Sequence, residues 1–256
     1  KMSCKVSQGV TTVVTGNCGI SLAPLKNCKT RPPSPLDLLA SNEFQFFNKF
    51  HDYFHLISQE PPSLNVICQV GHTTLRVSCM DTYDRPSTAK EIKEMKKLLE
   101  YSLEEGAFGM STGLFYSPAN SASTYEIIEL AKILKEYGAL HTTHMRDEGE
   151  NILESLRETF LIGTEANVPV VISHHKCSGK QNHGLSIETL ELINQASKVQ
   201  NLGLDAYPYN ASSTVLSAYG NYQVERVLVT WSETMPEAAG KELSDIASEL
   251  GMSMKE

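Results

Sequence analysis

The chain has 256 residues, 41% of them hydrophobic, enough to bury a substantial core as one large α/β domain or two ordinary ones. Its formal net charge is −8, so a phosphate backbone would be repelled on average and no nucleic-acid partner is expected. No apolar run approaches the roughly 20 residues that cross a bilayer, and no apolar segment follows the first residues, which leads us to expect a cytoplasmic protein without a membrane partner.

The first element is an apolar, β-branched run, GVTTVVTG over 9–16, which reads as a buried strand. It closes in a turn at 16–19 whose glycines open backbone conformations denied to other residues, and Cys18 stands at the strand's carboxyl end. No earlier element is available to pair beside this strand, so the chain is expected to be a piece of something longer. Residues 31–35 read as loop, and the aromatics from Phe44 to Phe54 as a helix. LNVICQVG over 64–71 is a second strand with His72 at its end, and 78–85 is loop. Thr88 and Glu91 form a capping box for a helix with Ile92, Met95, Leu98, Leu99 and Leu103 on one face and Gly106 at its end. A short strand over 107–113 enters a loop with Tyr116 and Pro118, and Ser123 with Glu126 caps the next helix, which carries Ile127, Ile128, Ala131 and Leu134.

The stretch 139–176 reads as strand, helix, strand. ALHTTH over 139–144 is the first strand, 149–166 carries Ile152, Leu153, Leu156, Phe160 and Leu161 at helical spacing, and 168–172 is a buried strand. His144 and His174 thus leave two successive strands at their carboxyl ends. Beyond them, 186–200 is helical on Ile187, Leu190 and Ile193, 202–207 is a strand ending before Pro208, 210–222 is loop, 225–231 a strand and 236–250 a helix.

From residue 88 the helix-then-strand unit recurs about every 30 residues, the length of a βαβ crossover. That predicts an α/β protein, either most of a (β/α)8 TIM-type barrel or a doubly wound open sheet. Cys18, His72, Thr112, His144, His174 and Tyr207 all fall at strand carboxyl ends, and a barrel would aim them at one mouth, which favours the barrel.

Cys18, His144 and His174 offer one thiolate and two imidazoles, a set that zinc accepts with water in the fourth position. Each alone is more often a small buried residue or a hydrogen-bonded structural histidine. His72 is expected to be structural, bonded to backbone, rather than a fourth ligand. His141 and His175 run out of phase with His144 and His174 and should face the outer layer or start the next loop. The sequence Arg146-Asp147-Glu148 is expected to be a solvated helix start rather than a carboxylate orienting a ligand. Lys176 would place an ammonium at the mouth for a substrate carboxylate, with Tyr207 and Ser213 as further donors or as packing. The six cysteines, Cys4, Cys18, Cys28, Cys68, Cys79 and Cys177, form no Cys-x-x-Cys pair or disulfide framework, which points to a reducing compartment.

GVTTVVTGNCGISLAP over 9–24, GAFGMSTGLFY over 106–116, THMRDEG over 143–149, VVISHHK over 170–176 and DAYPY over 205–209 resemble, in this order, the N-acyl-D-amino-acid deacylases (D-aminoacylases) of the amidohydrolase superfamily. The resemblance runs from Gly9 to about Thr214. It implies a metal-dependent hydrolase barrel, usually joined to a small β-domain built from both chain ends. It also implies Cys18, His144 and His174 as ligands of a tightly held Zn2+, and Lys176, Tyr207 and Ser213 as contacts to a small-molecule N-acyl-D-amino acid. In that chemistry zinc activates water and polarises the amide carbonyl while a carboxylate serves as general base.

Two parts of the family pattern are missing. No His-x-His pair precedes Cys18, and the family's catalytic Asp and an Arg for the substrate carboxylate fall beyond Glu256. Residues 1–256 are therefore expected to be a single catalytic barrel domain, incomplete, without its first and last elements or the β-domain. Such a fragment should turn over little, and its unpaired sheet edges favour self-association. Two alternatives stand beside this reading. Another amidohydrolase such as a cyclic amidase would not need a free α-carboxylate near Lys176, and a noncatalytic α/β remnant would hold no metal.

Overall fold

Strand order separates the two α/β architectures that the sequence allows. A computed structural model describes residues 2–26, 31–40, 46–218, 224 and 226–254. Strand β1 (Thr12–Thr15) pairs in parallel with β2 (Asn65–Cys68). After Gln69 the same segment continues as β3 (Val70–Gly71), which opens a second parallel sheet with β4 (Gly109–Gly113), β5 (Leu140–His144), β6 (Val170–Ile172) and β7 (Leu202–Leu204). Spatial order equals sequence order, β3-β4-β5-β6-β7. A doubly wound sheet needs a reversal of order, and none occurs among these strands; successive winding is that of a barrel, of which the strands form an arc.

A short α1 (Ser3–Val6) and α2 (Phe50–Gln59) precede the helical layer, which consists of α3 (His72–Cys79), α4 (Ala89–Glu104), α5 (Thr124–Glu136), α6 (Ile152–Ala166) and α7 (Ser186–Ala196), each packed on the next. The start of α4 shows why these residues become helix. The Thr88 hydroxyl accepts from the Glu91 amide and the Glu91 carboxylate accepts from the Thr88 amide, so two orphan donors are satisfied. Its apolar face, Ile92, Met95, Leu98, Leu99 and Leu103, is buried as the spacing predicts, each side chain contributing about 1.5–3 kcal/mol. Last in the chain comes α8 (Leu243–Leu250).

Several expectations are corrected. The sequence read no helix at 72–79, where weak helix formers such as Thr73 and Thr74 are concentrated; α3 forms because tertiary contacts bury them, with the Thr74 hydroxyl bonded to the Ser21 amide at 2.9 Å. The expected strand at 225–231 reduces to one antiparallel bridge, Leu228 with Glu242, and Glu225 lies outside the described residues. The helix expected over 236–250 splits into a 3-10 turn at Pro236–Ala238 and α8. The aromatic helix begins at Phe50; Phe44, like Cys28 and Tyr222, lies outside the described residues. Strand β1, read as buried, leaves Val14 45% exposed, since it has a hydrogen-bonded neighbour on one side only.

One buried ionic cluster ties this scaffold. Glu126, in the first turn of α5, is fully buried, and its carboxylate accepts from His72 Nε2 (2.8 Å), Arg76 Nη1 (2.8 Å) and Ser87 Oγ (2.7 Å). Arg76 Nη2 donates to the carbonyls of Tyr83 (3.1 Å) and Arg85 (2.8 Å), pinning the loop before α4. His72 is thus structural, as expected, but its partner is a carboxylate rather than backbone. Burial alone would raise the Glu126 pKa; the hydrogen bond from His72 and the Arg76 guanidinium outweigh it and hold Glu126 at about 2. Burial pushes His72 below its ordinary value.

Removing one member leaves a buried charge without a partner. Glu126→Ala is expected to cost about 3–5 kcal/mol in urea unfolding, and a loss below about 1 kcal/mol would show that the cluster is not structural. A second expectation concerns acid. His141 is fully buried and burial pushes its pKa down to about 3. A depressed histidine stabilises the fold above its unfolded pKa of about 6.5 and loses that contribution as pH falls toward 3. Unfolding midpoints should therefore fall steadily below pH 6.5, and a flat profile there would contradict the buried neutral ring.

Candidate functional site

Register in a parallel pair assigns each side chain to a face. Thr142 pairs with Val171, while His141 pairs with Val170 and Thr143 with Ile172. Thr142 points inside the arc, bonding Asn17 (3.2 Å) and Gln69 (3.1 Å), and His144, two residues on, follows it inward. His141 points the other way, to the Thr112 hydroxyl at 3.0 Å. Thr112, expected at the mouth, therefore belongs to the outer layer, and His72, also expected there, is sealed against Glu126.

The same alternation would send His174 outward with Ile172. It does not, because His174 has φ +41, in the left-handed region. Its ring turns inside, 4.4 Å from that of His144, with Nε2 3.5 Å from Cys18 Sγ. His175 goes outward to the Thr189 hydroxyl of α7 at 3.0 Å. The expectation of His174 inside and His175 outside holds, by a backbone turn rather than by alternation.

Cys18 is also left-handed, with φ +54, inside the turn at 16–19. That turn lies on bare backbone: a Cβ on Gly71 would collide with the Gly19 carbonyl, and one on Gly113 with the Cys18 carbonyl. Ser111 Oγ accepts from the Gly19 amide at 3.0 Å and donates to the Gly16 carbonyl, gripping both sides of Cys18. Each left-handed non-glycine residue costs roughly 1–2 kcal/mol, and such strain collects at functional sites.

The donor atoms of Cys18, His144 and His174 all lie within 4.8 Å of one another. Two observations fit a metal ion. Neither ring nitrogen of His144 has a hydrogen-bond partner although both are buried, a costly state that a ligand bond would relieve. The 3.5 Å between Cys18 Sγ and His174 Nε2 matches the sulfur-to-nitrogen separation of about 3.6 Å that tetrahedral zinc imposes.

Glu148 organises this group, which corrects the expectation of a solvated helix start. It is 3% exposed; Oε1 accepts from His174 Nδ1 at 3.0 Å, and Oε2 from Lys176 Nζ at 2.7 Å while lying 3.6 Å from His144 Nε2. Burial would raise its pKa, but His174, His144 and Lys176 together hold it below its ordinary value. Burial pushes His144 down to about 4, whereas for His174 the contacts to Cys18 and Glu148 outweigh burial and raise it to about 9.

Lys176 lies against the Tyr207 ring, 5.5 Å from its centroid, so two of the three expected substrate contacts reach the cluster. Ser213 is exposed in the following loop, where Thr214, beside it, bonds the Tyr116 hydroxyl at 2.9 Å. Phe115 and Tyr116 were not singled out by the sequence, yet their rings lie 5.5 and 4.9 Å from the His144 ring. Arg146, bonded to Glu158, Asn120 O and Ala122 O, pins the loop that carries them.

In the metal-free chain, His174 should titrate near pH 9 and His144 near pH 4 by NMR of the imidazole protons. Glu148→Gln is expected to bring His174 down, since the carboxylate that favours its charged form is gone. An unchanged His174 titration would contradict the assigned pairing.

The strands form a successively wound parallel arc, and at its carboxyl-end mouth a thiol and two imidazoles gather into a donor set that could hold a metal ion. No family model matches the chain. It is 49% identical over 252 residues to the D-aminoacylase of Alcaligenes xylosoxydans xylosoxydans, covering 98% of this chain and 52% of that one. With the N-acyl-D-aspartate deacylase of the same organism it shares 47% identity over 253 residues, 98% of this chain and 50% of the relative. Among solved structures, a D-aminoacylase mutant in complex with CuCl2 superposes with a TM-score of 0.93 at 52% identity, over 98% of this chain and 52% of that chain. The N-acyl-D-glutamate deacylase of Bordetella bronchiseptica, complexed with zinc and a phosphonate mimic of the tetrahedral intermediate, gives 0.88 at 37% identity, with the same coverage of 98% and 52%. The chain is thus similar over nearly its whole length to N-acyl-D-amino-acid deacylases, and it spans about half the length of the curated relatives it matches.

Proposed function

We propose that residues 1–256 form the metal-holding part of a single catalytic barrel, that of a zinc-dependent hydrolase cleaving the amide bond of N-acyl-D-amino acids to a carboxylate and a D-amino acid. The observation that carries this reading is the buried, unpartnered His144 imidazole within 4.8 Å of Cys18 and His174. The named activities of the relatives and the zinc in the D-glutamate deacylase structure support it.

In this reading Cys18, His144 and His174 hold the ion. Zinc bound there lowers the pKa of water to about 7 and polarises an amide carbonyl. The chain's own residues orient and bind. Glu148, kept ionised, fixes the His174 ring through Nδ1, the carboxylate–histidine pairing that sets a ligand's tautomer. Lys176 Nζ donates to Glu148 at 2.7 Å and lies 2.9 Å from His174 Nδ1, which leaves a donor for a substrate carboxylate. Tyr207 and the exposed Ser213 supply hydroxyls beside it. Phe115 and Tyr116 shield His144 from water, and burial raises the Tyr116 pKa to about 12, so its hydroxyl stays protonated.

A cytoplasmic setting agrees with the free thiols of Cys4, Cys18, Cys68, Cys79 and Cys177, and no helix of the described residues is long and apolar enough to cross a membrane. Among the described residues β1 and β7 each have one hydrogen-bonded neighbour, and such edges favour association between chains. Light scattering should show a mass above 28.3 kDa that rises with concentration; a constant 28.3 kDa would overturn this.

The deciding experiment measures zinc per chain in protein purified without added metal, beside a Cys18→Ala, His144→Ala, His174→Ala triple variant. Near-stoichiometric zinc in the parent and none in the variant is expected. Equal, negligible zinc in both would reduce the deacylase reading to ancestry alone.

A further inference from the structure

Two adjacent histidines, His174 and His175, compete for one inward place at the end of β6, and the left-handed backbone at His174 decides between them. The β5–β6 register puts Val171 with Thr142 on the inner face, so an extended continuation would aim Ser173 and His175 inward and His174 outward. The turn at His174 reverses this. Such a conformation is uncommon for a non-glycine residue and persists where neighbouring groups over-determine it.

The group that does so here comes from the end of β7. Asp205 Oδ1 accepts from the His174 amide at 2.6 Å. The Asp205 amide donates to the Ile172 carbonyl at 3.0 Å, and its own carbonyl accepts from the His175 amide at 2.8 Å. Backbone and side chain of one residue therefore hold 172, 174 and 175 together, and the carboxylate takes the one amide that the left-handed turn removes from regular strand pairing. Glu148 acts on the ring of His174, whereas Asp205 acts on its backbone.

We propose that Asp205 is a positioning residue that selects His174, rather than His175, as the inward-facing imidazole of the metal site. It acts through the His174 backbone, without itself ligating the metal. The inference rests on the metal reading of Cys18, His144 and His174.

The test is zinc affinity by competition with a chelator, together with the cobalt–thiolate charge-transfer spectrum, for the parent chain, Asp205→Ala and Asp205→Asn. Removing a group that orients a ligand typically weakens metal binding about 10- to 100-fold, and that loss is expected for Asp205→Ala, with a changed cobalt spectrum. Asp205→Asn keeps a neutral acceptor for the His174 amide and is expected to stay within a few-fold of the parent, with the parent's spectrum. Parent-like affinity in Asp205→Ala would overturn the proposal. So would a folded Asp205→Asn that loses metal as badly as Asp205→Ala, since the carboxylate would then act by charge or by ligation. If Asp205→Ala fails to fold by circular dichroism, Asp205→Ser, whose side chain is one atom shorter, takes its place, with the same expected loss and the same overturning result. Absence of zinc from the parent and from the triple ligand variant alike would instead be the failure of the metal reading itself.

Discussion

Parallel pairing of β5 with β6 is the constraint on which the site depends. Neighbouring parallel strands run about 4.8 Å apart and in step, so groups leaving their carboxyl ends emerge side by side. His144 and His174 emerge in this way with rings 4.4 Å apart. Cys18 arrives from a strand that pairs elsewhere, and it can reach them only because its turn lies on the bare backbone of Gly71 and Gly113. A side chain at either glycine would displace the thiol from the histidines.

Two histidine–carboxylate clusters lie in the same scaffold, and their hydrogen bonding tells them apart. Around Glu126 the carboxylate is saturated by His72, Arg76 and Ser87; His72 Nδ1 and Arg76 Nε are left without a partner, but both side chains are tied through their other nitrogens, and the cluster locks α3, α5 and the loop between 80 and 87. Around Glu148 the carboxylate is also engaged, yet the adjacent His144 has two buried nitrogens with nothing to bind. A histidine with both ring nitrogens buried and unpaired is costlier than one bonded through a single nitrogen, and a ligand bond at His144 would relieve that cost. Its extreme histidine pKa values, about 4 and about 9, arise from this crowding of charge in a water-poor mouth.

Much of this was legible in the sequence. Apolar periodicity located α4, α5, α6 and α7, capping residues marked the starts of α4 and α5, and β-branched runs located β1, β2, β4, β5 and β6. The ordered motifs carried the resemblance to the deacylases and brought out Cys18, His144, His174, Lys176 and Tyr207 as candidates. What failed did so where local pattern is overridden by contacts: α3 is built of poor helix formers held by burial, and the apolar run at 226–231 finds no sheet to join. Glu148 looked like a solvated helix start because nothing in a linear sequence shows that Lys176 and His174, 28 and 26 residues later, converge on it.

The sequence by itself determined the α/β alternation, the resemblance to the deacylases and the residue types able to bind metal, because these are set by side-chain chemistry and local spacing. Only the tertiary structure decided the successive strand order, which of Thr112, His72 and His144 turn toward the mouth, and which carboxylate serves the site. The clearest instance is the pair His174 and His175: an extended continuation of β6 in its observed register with β5 would turn His175 inward, and the left-handed backbone at His174, bonded to Asp205 from another strand, reverses the choice. Facing is a property of backbone torsions fixed by long-range hydrogen bonds, and a sequence records such bonds only once its strands have been brought together.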